Sequence, residues 1–309
     1  MGHVGLVIVI LAFGVALPCA ARTLDVPGEY ASIAAAIGVA VAGDEILVAS
    51  GTYNENFVVA VDVTIRGVGP DRTSTTIKSG DPEAAVVVVS LAAAGEVRLE
   101  NLSWVASGPG DGIKVAGSPE GTVRVVNCAF RVESESVGIA VESGTLVAEA
   151  SSFRGPDVAV HVPVRTSGVV VDPGASAKIR NCDFAYFADA IQARGGTSLT
   201  VEACSVGYSV AGIAIRNQFS DFTTVQLAAN QIYGCTTGIV LSGAVTMVMV
   251  QGNTILDCSS GPLRATAGSC IGGGEPFSGV IAGTANVVPQ LDLLCPDEGS
   301  GFWPEGFFE

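Results

Sequence analysis

Histidine and methionine are nearly absent from this 309-residue chain: it has two histidines and three methionines, and beyond residue 21 only His161, Met247 and Met249 remain. Copper sites draw on His, Cys and Met ligands, so this supply argues against a copper centre, and no metal is assigned. Positive charge is also scarce, with fifteen Lys and Arg against thirty Asp and Glu and a net charge of −15. Nucleic acid and anionic lipid are held by clustered cations, so neither is an expected partner, and the acidity serves solubility. Long apolar runs are missing after the start. Residues 4–17 form one such run, followed by Cys19-Ala20-Ala21; it is too short for a comfortable span and has the form of a secretory signal over residues 1–21. Pro18 directly before Cys19 argues against acylation there. No membrane insertion is expected after cleavage, and the expected location is secreted, periplasmic or cell-surface.

What the chain does have is a repeat. Segments ending Asn101-Leu102-Ser103-Trp104, Asn127-Cys128-Ala129-Phe130, Ala150-Ser151-Ser152-Phe153 and Asn181-Cys182-Asp183-Phe184 align, as do those ending at Val206, Ile232 and Ile255. These large apolar anchors are spaced 26, 23, 31, 22, 26 and 23 residues apart. A second signature follows most of them: Gly112-Ile113, Gly138-Ile139, Ala190-Ile191, Gly212-Ile213 and Gly238-Ile239. A period of this size marks stacked units that cannot bury a core singly.

Within a unit, the residues seven and five before the anchor are apolar (Val97/Leu99, Val123/Val125, Leu199/Val201), with Arg98, Arg124 and Glu202 among the polar residues between and after them. That is the alternation of a half-buried strand. The position three before the anchor is Asn, Ala or Gly, types suited to a sharp bend. The positions two before it and at it point inward again. Each unit is therefore strand, bend, strand, loop, strand. The predicted fold is all-β, a single-stranded right-handed parallel β-helix of about nine coils with a short N-terminal capping helix. Leucine-rich repeats would need more leucine, propeller blades a longer period, and a left-handed β-helix hexapeptide spacing. The expected organisation is signal 1–21, cap 22–44, β-helix 45–265 and an irregular C-terminal cap or tail 266–309. In the cap, Ser32 is placed to start a helix with Ile33, Ile37 and Val41 on one face, covering the open end of the stack.

Seven cysteines lie beyond residue 21. Cys182 and Cys204 share one slot in successive units and Cys235 and Cys258 share another. Neighbours one rung apart are within disulfide range. Buried thiols are favoured for the first pair, because parallel inward side chains have poor bridging torsions. Disulfides are expected at Cys235–Cys258, near a turn, and at Cys270–Cys295, bracketing the C-terminal segment. Cys128 has no evident partner.

The stretch Ser32-Ile33-Ala34-Ala35-Ala36-Ile37, Ala42-Gly43-Asp44-Glu45-Ile46-Leu47-Val48, Gly51-Thr52-Tyr53-Asn54-Glu55 and Thr64-Ile65-Arg66-Gly67 resembles the opening of the pectin lyase-like superfamily of secreted right-handed β-helix proteins. Gly51, Tyr53 and Glu55 also resemble a motif of pectin methylesterases. The catalytic Gln-Asp, Asp and Arg-x-Trp signatures of those esterases have no counterpart, nor do the paired aspartates of polygalacturonases. The resemblance implies a cleft on the outer face of the strands carrying the Gly-Ile signature. The outward residues there are Asp111, Lys114, Glu142, His161, Asp189, Gln192, Arg194 and Arg216, bordered by an insertion placed at residues 163–175. Arg194 and Arg216 share a slot in adjacent units, where two guanidinium groups suit a sugar carboxylate. Asp189, Gln192, Arg194 and Arg216 are therefore the candidate glycan-binding residues; a face where solvated charges merely separate strands is the plain alternative. The function expected is non-catalytic recognition of glycans or a cell-surface polymer, with no cofactor. The alternative is a divergent lyase or hydrolase on acidic polysaccharide, with Arg216 beside Asp189 as the candidate for its base and Ca²⁺ as its cation if a lyase.

Overall fold

The computed structural model describes residues 21–133, 135–156, 166–217, 223–243, 246–265, 269–271 and 278–282. These residues form a parallel β-helix. One coil contributes the strands Ser176–Arg180, Asp183–Ala185 and Asp189–Arg194. Stacked coil on coil, the first two strands build a 20-stranded sheet folded at the bend between them, and the third strands build a separate nine-stranded sheet. Pairing is parallel and in register, as in Leu199↔Val225, Phe184↔Val206 and Ile191↔Ile213. The alternating residues Val97, Leu99, Val123, Val125, Leu199 and Val201 are buried. Outward charges pair between coils, Arg180 with Glu202 at 3.1 Å and Arg66 with Glu45 at 2.6 Å.

The bend is the same in every regular coil. Asn101, Asn127, Ala150, Asn181, Ala203, Ala229 and Gly252 all hold φ between 50° and 62°, the left-handed region that Asn tolerates and Gly adopts freely. The following residue then turns inward, so Leu102, Cys128, Ser151, Cys182, Cys204, Asn230 and Asn253 form a buried column. Its polar members satisfy the backbone that the bend frees from strand pairing. The Cys204 N–H donates to Asn230 Oδ1 (2.9 Å), and the Asn230 N–H donates to Asn253 Oδ1 (2.9 Å). Asn230 Nδ2 returns a bond to the Val201 carbonyl at 2.9 Å. Above it the anchors stack, with ring centroids 6.4 Å apart for Trp104–Phe130 and 4.5 Å for both Phe130–Phe153 and Phe153–Phe184. The Gly-Ile signature is likewise a packing device. A Cβ on Gly112 would lie 2.5 Å from the carbonyl oxygen of Gly138 in the next coil, while the Ile113 and Ile139 side chains that follow stack in the core.

At the N-terminal end the helix spans Ile33–Ile37, and the Ser32 hydroxyl caps it by accepting the Ala35 N–H at 3.1 Å. Glu55 reaches over from the first coils to accept the Ile33 and Ala34 N–H groups at 3.2 and 3.0 Å, and the Tyr53 hydroxyl donates to the Ala49 carbonyl at 3.1 Å. Within the Gly51, Tyr53 and Glu55 motif it is thus Glu55 that fastens the cap, since a carboxylate suits the free N–H groups of a helix start. The expected boundaries shift at both ends. Val41 lies past the helix, which ends before Gly38, and is 41% exposed. The strand Thr23–Val26 already pairs with Glu45–Val48, so the first coil begins inside the expected cap. Likewise Ser269–Ile271 and Ser278–Ala282 still pair with Thr246–Leu256, beyond residue 265. The signal segment and most of the C-terminal tail lie outside the described residues. Among those described, no helix is long and apolar enough to cross a membrane.

Asp44 ties the start of the first coil to the cap. Its buried carboxylate accepts from the Arg22 guanidinium at 2.6 Å, the Val41 N–H at 3.0 Å and the Arg22 N–H at 2.9 Å. The Arg22 bonds first, then the two backbone N–H groups, hold its pKa well below the usual carboxylate range, against the opposing effect of burial. A depressed carboxyl pKa stabilises the fold above the unfolded value and loses that stabilisation as pH falls. The N-terminal coil should therefore loosen from about pH 4 downward, and Asp44→Asn should flatten that pH dependence in a denaturation series. Two substitutions test the bend. Asn230→Ala strands the Cys204 N–H and the Val201 carbonyl and should cost about 3 kcal/mol in denaturant unfolding. Ala203→Gly relieves left-handed strain of roughly 1–2 kcal/mol, less the entropy glycine adds to the unfolded chain, and should stabilise by about 0.5 kcal/mol.

Candidate functional site

The outer face of the third sheet brings together the residues that the repeat placed there. Arg194 and Arg216 are register partners in adjacent coils. The pairings Val171↔Ala193 and Val141↔Val171 put Asp172 and Glu142 next in the same column. Arg194 Nη1 contacts Asp172 Oδ1 at 2.6 Å, and Arg216 Nη2 contacts both oxygens of Asp189, at 2.8 and 3.0 Å. Asp189 therefore stands beside Arg216 as expected, while the partner of Arg194 is Asp172, which the repeat spacing did not single out. These pairs offset the repulsion that two like charges one rung apart would carry. Gln192, between Val170 and Ala214 on the neighbouring strands, is half-buried on the same face.

Further along the sheet, Lys114 Nζ meets Glu142 at 2.6 Å, and the Glu142 carboxylate raises the lysine pKa. Asp111 accepts the Val137 N–H at 3.3 Å, and burial pushes its carboxyl above the ordinary value. Among the described residues no three His, Cys, Asp or Glu gather as a metal site would need. His161 lies outside the described residues. The insertion placed at residues 163–175 is corrected: Ser167–Val171 is a regular strand of the third sheet, paired on both sides. The extra length of that coil falls before it. The displacement arose because Gly168-Val169 fills the Gly-Ile slot with Val.

Sequence spacing also passed over an aromatic strip at the corner leading into this sheet. Tyr186 and Tyr208 stack with centroids 5.5 Å apart, Tyr233 meets Tyr208 edge-on at 5.3 Å, and Arg154 lies 5.0 Å over the Tyr186 ring. Tyr186 and Tyr208 sit at φ 68° and 53°, where the next coil has Gly234. Left-handed strain of roughly 1–2 kcal/mol per residue is at best matched by the ~0.5–1.5 kcal/mol of one aromatic pair. The strip adds no clear stability. Its signal in the sequence was Tyr two residues past the anchor in two consecutive units.

The cysteines correct one expectation. Cys235 and Cys258 are free thiols, as are Cys128, Cys182 and Cys204. Cys235 and Cys258 share a column like Cys182 and Cys204, so the parallel geometry that disfavours bridging applies to both pairs. Their thiols sit within 3.6 Å of the Tyr233 and Leu256 carbonyls. Cys295 and the side chain of Cys270 lie outside the described residues.

The sequence model described as "Right handed beta helix region" matches residues 167–271. No curated protein matches the chain significantly in sequence. Among solved structures, a pectate lyase is similar at TM-score 0.57 and 12% identity, covering 81% of this chain and 73% of its own. An alginate lyase is similar at TM-score 0.56 and 11% identity, covering 85% of this chain and 39% of its own. A pectin methylesterase from Aspergillus niger is similar at TM-score 0.51 and 15% identity, covering 90% and 93%. Likeness at such identities establishes the architecture alone: a right-handed parallel β-helix.

The thiols give a direct check on the cysteine column. Burial pushes Cys128 up to about 12, whereas Cys258 is half-exposed and the neighbouring Cys235 thiol lowers its pKa. Iodoacetamide on the native protein should therefore label Cys258 first among these five, and Cys128, Cys182, Cys204 and Cys235 only on unfolding. Labelling of Cys258 only after reduction would mean that the Cys235–Cys258 bridge exists after all.

Proposed function

We propose that the chain is a secreted protein that recognises a polysaccharide along the outer face of its third sheet without cleaving it. The observation that carries this reading is the arginine pair. Two half-exposed arginines are register partners on adjacent coils, each held by a carboxylate, Arg194 by Asp172 at 2.6 Å and Arg216 by Asp189 at 2.8 Å. Surface ion pairs contribute little stability, so their fixed geometry is better explained by what it presents. A guanidinium has five N–H donors in a planar fork; those not used by Asp172 or Asp189 face solvent in an orientation already set, which lowers the entropic cost of binding a sugar hydroxyl or carboxylate.

The same geometry favours recognition over cleavage. A lyase base needs an available lone pair within reach of the substrate proton, and both oxygens of Asp189 accept from Arg216. The Arg216 guanidinium, for its part, donates from Nε and Nη2 to that carboxylate. The alternative, a divergent lyase or hydrolase, draws on the half-buried Asp111 carboxyl beside Lys114 and Glu142; a carboxyl of raised pKa suits a general acid.

Electrophoresis through gels containing polygalacturonate or alginate tests this. The parent protein should be retarded, and the double variant Arg194→Ala/Arg216→Ala should run freely while its thermal unfolding changes by less than about 1 kcal/mol. Absorbance of unsaturated uronate should stay flat over hours. A rising absorbance would establish the lyase, and unretarded migration of the parent in both polymers would remove the recognition reading.

A further inference from the structure

Three of the exposed large apolar side chains, Tyr208 (53%), Val210 (47%) and Leu256 (37%), gather at the corner leading into the third sheet, toward its C-terminal coils. Tyr233 joins them: it meets Tyr208 edge-on at 5.3 Å and is the register partner of Leu256. The Tyr208 ring is stacked on Tyr186 and closed by the edge of Tyr233. What the corner offers is therefore ring rims and two branched aliphatic side chains, an apolar patch without an open ring face. Tyr208 keeps its place at φ 53°, where the next coil has Gly234 at φ 60°, although glycine would hold that bend without strain. An apolar patch kept on the surface in this way marks contact with another surface.

We propose that this patch is the dock of the chain's own C-terminal segment, residues 302–308. The path of the chain leads there. Leu256 is the register partner of Ala282, the last described residue, and Tyr208 directly follows Gly207, the register partner of Tyr233. The patch therefore begins one rung from Ala282 and ends three rungs away, about 14 Å at the usual strand spacing. Phe302 lies 20 residues beyond Ala282, and at about 3.3 Å per extended residue that length covers the distance several times over. The segment also needs a dock. It carries Phe302, Trp303, Phe307 and Phe308, and each aromatic side chain has about 150–250 Å² to bury. Gly299, Gly301, Pro304 and Gly306 interrupt any two-residue alternation, so the stretch cannot add a coil of its own and buries its rings only against a surface already formed. Tethering favours the chain's own patch, because a short linker holds the segment at an effective concentration of about millimolar. The other apolar groove, formed by Leu47, Ala49 and Val68 at the N-terminal end, is lined by Asp25, which repels a tail whose residues 283–309 hold five Asp and Glu and no Lys or Arg. Val210 directly precedes Ala211, the register partner of Asp189, so the docked segment forms a wall along the arginine face. The proposal stands without the polysaccharide reading.

The test uses the full chain with the photoreactive p-benzoylphenylalanine in place of Phe307, irradiated and mapped by peptide mass spectrometry. Crosslinks should form within one chain, at Tyr208, Val210, Tyr233 or Leu256. Crosslinks elsewhere in the chain, such as the groove at Leu47 and Val68, or no crosslink at all, overturn the proposal. Crosslinks between chains, in a species that sediments as a dimer, overturn it in favour of a second copy. Nitration by tetranitromethane gives an independent reading. Tyr208 should be nitrated several-fold faster in the variant Phe302→Ser/Trp303→Ser/Phe307→Ser/Phe308→Ser than in the parent, while Tyr53, at the N-terminal cap, should react equally in both. Equal nitration of Tyr208 in parent and variant overturns the dock.

Discussion

Each regular coil turns the corner between its first two strands in the left-handed conformation, and the rest of the molecule depends on that corner falling at the same place each time. A parallel stack has no hairpins to fix its register. What fixes it is the bend residue at φ near 50° and the inward residue after it, whose side chain completes the hydrogen bonds of its neighbours. A slip of one residue would carry every buried side chain to the outside and would break the Cys204–Asn230–Asn253 chain of bonds. Burial of Phe130, Phe153 and Phe184 in one stack follows from the same register.

The surface inherits this order. Because coils are parallel and aligned, any residue type repeated at one slot becomes a column with a spacing of about 4.8 Å. Buried columns are satisfied by like residues, since apolar rings and amides stack on themselves. Exposed charged columns are not, because like charges repel. The pairs Arg194–Asp172 and Arg216–Asp189 resolve that conflict locally, leaving a face of fixed donors and acceptors instead of a mobile basic patch. Extended polymers with a short chemical repeat are the ligands such a periodic face suits.

The period, the bend and the inward column were legible in the sequence because they recur: Asn, Ala or Gly three residues before each anchor is a strong signal when it appears seven times. The Arg194–Arg216 register was legible for the same reason. Features that break the repeat were not. Asp172 lies in the coil whose spacing is irregular, and the Val in Gly168-Val169 hid the strand that would have placed it. Gly51, Tyr53 and Glu55 look like an enzyme motif in one dimension, and only the contact from Glu55 to the helix start gives them a structural role. The Cys235–Cys258 bridge was expected from proximity to a turn, whereas both residues are free thiols in this structure.

Amide hydrogen exchange resolved to single residues by NMR tests the bend column most directly. The N–H groups of Cys204 and Asn230 have side-chain oxygens of the next coil as acceptors, at 2.9 Å each. If the buried column holds the register, these amides will exchange as slowly as the strand amides of Val201 and Leu227 on either side of them. Rapid exchange at Cys204 and Asn230 beside protected strands would show that the corners open freely and that something other than the column aligns the coils.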